Sequence, residues 1–141
     1  ALRARVPAWA GGKPLTALDL HCPWIRGTNN EWVYQVGNAS TNLWAQQQAL
    51  GRILEAVEPN ALAYRQRNDL PHGQAWNTAA NYAQGTSFAR WASALPGVRF
   101  AGTFEIPYAT ANGTEVNART ARQFGNALAA ALRQYLGWPA E

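Results

Sequence analysis

The chain has 141 residues and a mass of 15.4 kDa, room for one domain. A hydrophobic share of 48% excludes disorder for the chain as a whole, and a lone cysteine, Cys22, excludes an internal disulfide framework. The net charge of +4 is spread over scattered arginines, which argues against nucleic acid as a partner, and no apolar run is long enough for a membrane span, so no membrane partner is expected.

Charged residues make up only 14% of the chain, well below the usual ~25%. Two causes fit. One is a secreted protein with an Asn-, Gln- and Thr-rich surface. The other is a flank that packs against a further part of the same domain. The opening residues, ALRARVPAWAGGKP, hold no continuous apolar stretch and do not read as a signal peptide.

Residues 1–16, with two prolines and a Gly-Gly, predict an irregular lead-in. Leu15 to His21 predicts a short buried strand that Pro23 stops. Loop residues follow around a second strand, Trp32 to Val36. Ser40 or Thr41 then caps a helix whose apolar face runs from Leu43 to Val57, with Pro59 just beyond it. Residues 59–85 predict a long irregular region with one short strand at Ala61 to Tyr64, and such loops are usually functional. A short helix is expected over Ser87 to Ala94, opened by Thr86. Val98 to Ile106 is apolar nearly throughout and predicts a central strand. Glu115 to Leu136 predicts a long final helix striped by Phe124, Leu128 and Leu132. Strands alternate with helices, so the expected class is α/β with a mixed, largely parallel sheet flanked by helices.

Two strand ends carry chemistry. Asp19-Leu20-His21-Cys22-Pro23 puts an imidazole at one C-terminal end, and Thr103-Phe104-Glu105-Ile106-Pro107 puts a carboxylate at another. Ligand sites in open α/β sheets lie outside such ends. A His and a Glu brought to one edge make a metal ligand and a general base. Taken singly, each also reads as an ordinary hydrogen-bonded or solvated strand end.

The ordered set of motifs resembles the C-terminal half of the zinc metallocarboxypeptidases, the carboxypeptidase A-like family. The match runs through LDLHC, Tyr34-Gln35-Val36-Gly37, YAQGTSFARW (Tyr82 to Trp91), GTFEI and the closing helix. The resemblance implies a carboxypeptidase-like fold, zinc as cofactor, and a peptide or amide substrate cut at its C-terminal bond. It makes His21 a zinc ligand, Glu105 the general base and Tyr82 a substrate-binding hydroxyl. It places Ala89 and Arg90 at the specificity pocket, where an inward Arg90 favours an acidic C-terminal residue; the plainer reading of Arg90 is a solvated surface arginine. Cys22 stands where the family commonly has serine, and strand alternation turns it away from His21. A secreted or periplasmic location fits the family.

The family's His-x-x-Glu, which supplies its other zinc ligands, is missing from the sequence, and His72 is the only other histidine. The expectation is a C-terminal part of one catalytic domain, residues 1–141, with the N-terminal part of that domain as partner. Two alternatives stay open. One is a related zinc amidohydrolase acting on acylated amino acids or cell-wall peptides. The other is a non-catalytic carbohydrate-binding module using some of the seven tryptophans.

Overall fold

Phe100, Gly102 and Phe104 alternate with Ala101, Thr103 and Glu105 along one strand, and both sets are needed to place the site. The computed structural model describes residues 2–13, 15–57, 62–83 and 85–139. In these the chain is mixed α/β, with a three-stranded sheet, a small hairpin and four α-helices. The strand in question is β3 (Val98–Glu105), at the centre of the sheet and buried from Phe100 onward. On one side lies β1 (Leu15–His21), parallel; on the other lies β2 (Tyr34–Val36), antiparallel. The sheet is thus mixed, with one pairing of each kind.

The even-numbered face of β3 makes the core. Phe104 meets Tyr64 and Phe124 edge-on, with ring centroids 6.0 and 6.2 Å apart, and Phe100 meets Tyr135 at 5.7 Å. Leu50 and Leu54 from α2 (Thr41–Ala56) and Leu128 and Ala131 from α4 (Ala118–Leu136) close this layer. Both helices follow the predicted stripe. Ser40 caps α2, and Asn117 with Thr120 forms a capping box on α4. The short helix α3 (Phe88–Ala92) covers the other face of the sheet. Its cap is Ser87, so it is shorter than the expected Ser87 to Ala94.

Further expectations change, among them the buried strand expected at Leu15 to His21, whose residues are half-buried or exposed because it lies at the sheet edge. Residues 2–10 form a helix, α1 (Leu2–Ala10), where an irregular lead-in was expected. Ala, Leu and Arg are strong helix formers, Pro7 removes only one backbone donor, and Gly11 and Gly12, at φ 54 and 78, end the helix. The final helix starts at Ala118, because Thr110–Ala111 (β4) and Thr114–Glu115 (β5) pair as a hairpin. Asn112 and Gly113, at φ 51 and 79, make its two-residue turn. The strand expected at Ala61 to Tyr64 begins on Ala61, outside the described residues, and Leu62 to Tyr64 do not form one.

Candidate active site

Parallel pairing sets His21 beside Glu105 and Asp19 beside Thr103. Side chains of paired residues share a face, and the period of two puts Asp19 on the same face as His21. The consequence is a line of three groups. His21 Nε2 lies 3.1 Å from Glu105 Oε1, and His21 Nδ1 lies 3.1 Å from Asp19 Oδ1. The two residues marked from the strand ends are therefore in direct contact.

Their surroundings differ. Glu105 is buried, at 3% exposure, while the His21 side chain is 48% exposed. Burial pushes the Glu105 carboxyl up, and the neighbouring His21 only partly counters this. Burial pushes the His21 imidazole down. The Asp19 hydrogen bond and the charges of Glu105 and Asp19 together outweigh it, so the net direction is up. A carboxylate raised by burial and tied to an imidazole suits proton transfer.

Tyr34 pairs with Glu105 across β2 and β3 and is fully buried. Its hydroxyl is pushed up to about 12 by burial and then by the charge of Glu105. The Trp76 indole lies close enough to offset part of this, but no group meets hydrogen-bond geometry with the hydroxyl.

Two cavities meet at the His21–Glu105 pair. The first, about 260 Å³, reaches toward α3 between Asn38, Ala89, Arg90, Ala101 and Thr103. Tyr82 and Arg90 both line it, and Arg90 is exposed to solvent there. Arg90 makes no ion pair with an acidic side chain among the described residues. Tyr82 does not point free into the cavity. Its hydroxyl donates to Oδ1 of Asn77 at 3.1 Å. Burial and the Glu105 charge push that hydroxyl up, with Arg90 pulling against them. The second cavity, about 550 Å³, opens on the other side between Trp24, Asn29, Asn30, Tyr34 and Trp76. Cys22 is exposed at its rim.

Catalytic zinc takes three protein ligands and one open position. Among the described residues no group of three or more His, Cys, Asp or Glu side chains gathers to hold a metal. His72 lines the first cavity apart from the Asp19–His21–Glu105 line. The side chains of the described residues do not by themselves complete a catalytic zinc site.

Asp19 and Tyr34 stand in motifs that mark the site but carry no assigned role in the sequence, and Trp76 and Asn77 carry no motif signal at all. Asp19 was legible, because it stands two residues before His21 on a strand. Tyr34 was not, since its place beside Glu105 depends on which strands pair. Asn77 sits in a loop with no periodic signal at all. Compared with protein-family models, curated proteins and solved structures, the chain matches none.

Proposed function

We infer that this chain is the C-terminal part of a zinc-dependent carboxypeptidase-like domain that hydrolyses a C-terminal peptide or amide bond. Glu105 is the general base, His21 would be one zinc ligand once a ring nitrogen leaves its carboxylate partner, and the remaining ligands come from outside this chain. The carrying observation is the 3.1 Å contact between His21 and a buried Glu105 where two cavities meet. A bond lying across that junction has a cavity for each of its two sides. Glu105 takes a proton from the water that attacks the carbonyl carbon. The new C–O bond forms, the C–N bond breaks, and Glu105 passes the proton to the leaving amine. Tyr82 leaves Asn77 to bond the substrate's terminal region.

The carboxypeptidase-like architecture belongs to the same reading. The exposure of β1 supports it, since strands paired in parallel are normally covered on both faces, and Leu20 on this strand is 50% exposed. Arg90, which has no acidic partner among the described residues, gives the first cavity a cation and so a preference for an acidic departing residue.

The test uses the protein with its complete ligand set. Glu105→Gln is expected to keep zinc and lose nearly all hydrolysis, while His21→Ala loses both. Wild-type turnover in Glu105→Gln would end the assignment. Peptides with a free C-terminus should be cut and their C-terminal amides spared; equal cleavage of both would favour a general amidohydrolase.

A further inference from the structure

We propose that the second cavity is a sugar subsite, in which the indoles of Trp24 and Trp76 receive the face of a pyranose ring. Large aromatic side chains are costly to leave in water, yet Trp24 is 74% exposed and Trp76 38%. Both stand on the wall of one cavity of about 550 Å³, a volume usual for a small-molecule site.

Neither indole sits on a loose loop. Trp24 is followed by a turn closed by the Gly27 N–H donating to the Trp24 carbonyl at 2.8 Å. The Asn30 amide holds that turn, donating to the carbonyls of Ile25 and Gly27 at 2.8 and 2.7 Å. Trp76 is pinned by its neighbour Asn77, fully buried, whose amide donates to the carbonyls of Gly37 and Leu70 at 2.9 and 3.0 Å. Ala75, just before Trp76, is held at φ 44, a left-handed conformation that costs a non-glycine residue on the order of 1 kcal/mol. Strain of this kind persists where the surroundings over-determine it. Here it carries an indole onto the wall of both cavities.

The rest of the wall selects the ligand. Arg26, Thr28, Asn29 and Asn81 add polar groups between the indoles. Four buried side-chain polar atoms among the described residues lack a hydrogen-bond partner. Three of them belong to this wall: Asn30 Oδ1, Tyr34 Oη and Glu105 Oε2. All three can accept a hydrogen bond, and the Tyr34 hydroxyl can also donate one. An apolar side chain would suit the indoles but strip water from the Thr28 hydroxyl and the Asn29 and Asn81 amides without replacing its hydrogen bonds. An anion could meet Arg26 but would also face the Glu105 carboxylate. A sugar meets both demands, with an apolar C–H face for the indoles and hydroxyl donors around its rim. That the sugar belongs to the molecule being cleaved rests on the proposed hydrolysis; its binding does not.

Binding can be read without turnover. Cellobiose and N,N′-diacetylchitobiose are titrated into the protein with its complete ligand set, following tryptophan fluorescence and the heat of binding. At least one is expected to bind with a Kd of ~1 mM or tighter. Trp76→Ala should weaken binding about tenfold, a loss of ~1.4 kcal/mol. Tyr34→Phe removes a hydroxyl that has no hydrogen-bond partner among the described residues. It should leave the melting temperature unchanged and weaken binding roughly threefold. Absence of binding by both disaccharides, affinity unchanged in Trp76→Ala, or tighter binding of N-acetylphenylalaninamide or adenosine at the same site would each overturn the proposal. Loss of hydrolysis in Glu105→Gln, with sugar binding weakened no more than severalfold and still dependent on Trp76, would support both readings. Failure of the sugar titration alone would remove only this one.

Discussion

The hydroxyl of Tyr82 donates to Oδ1 of Asn77 at 3.1 Å, and Asn77 in turn spends its two amide hydrogens on the carbonyls of Gly37 and Leu70. One fully buried side chain therefore ties a cavity-lining phenol to the end of β2 and to the loop beyond it. Asn77→Asp removes both donors and buries a carboxylate against two carbonyls. Urea denaturation should show a loss of ~2–4 kcal/mol. Tyr82→Phe removes only the outer bond and should cost under ~1 kcal/mol. Equal losses in the two variants would contradict the hierarchy.

Glycine inside a helix usually invites replacement. Gly125 in α4 has open space where a Cβ would stand, so Gly125→Ala should raise stability by ~0.5–1 kcal/mol. Gly51 in α2 is the opposite case. A Cβ there would stand 2.5 Å from the Tyr64 hydroxyl and 3.0 Å from Gln35 Nε2. Gly51→Ala should destabilise by ~1–3 kcal/mol, because overpacking a hydrogen-bonded core exceeds the propensity gain. Thermal melts of the two variants should move in opposite directions.

Asp69 supplies a pH dependence remote from the site. Its carboxylate accepts from the Tyr64 hydroxyl at 2.6 Å and from the Gln35 N–H at 2.8 Å. Burial outweighs these bonds and pushes it from 3.8 up to about 7. The folded state thus binds this proton more tightly than the unfolded chain does. Asp69's contribution to stability is fully present below about pH 4 and declines as pH rises through about 7. Asp69→Asn mimics the protonated form. At pH 8 it should melt higher, by an amount on the order of 1 kcal/mol or ~3 °C, and the difference should vanish near pH 4. A lower melting temperature at pH 8 would show that the two accepted bonds outweigh burial.

Arg90 predicts selectivity and not rate. In the protein with its complete ligand set, Arg90→Gln should cut kcat/KM for substrates ending in Glu about tenfold or more. Substrates ending in Phe should change less than about twofold. A uniform fall across both would place Arg90 in general binding or in structure.

The strands Leu15–His21 and Val98–Glu105 and the helices Thr41–Ala56 and Ala118–Leu136 follow from local patterns, because apolar period and caps are written within a few residues of each other. The Asn112-Gly113 hairpin was equally local, though its turn signal lies in a stretch otherwise assigned to the loop and helix start. His21 and Glu105 each stood out at a strand end. Their 3.1 Å contact did not, because it depends on β1 pairing β3 in parallel with no offset at that end. Pairing partners and register are long-range choices, made by which faces can be buried together. The same choice places Tyr34 beside Glu105, holds Tyr82 on Asn77 and sets Trp24 and Trp76 on one cavity. Local patterns suffice for an α/β chain with an acid and an imidazole at the ends of two strands. That these ends are neighbours is a long-range outcome of strand pairing, since a one-residue slip of β1 would turn His21 to the opposite face.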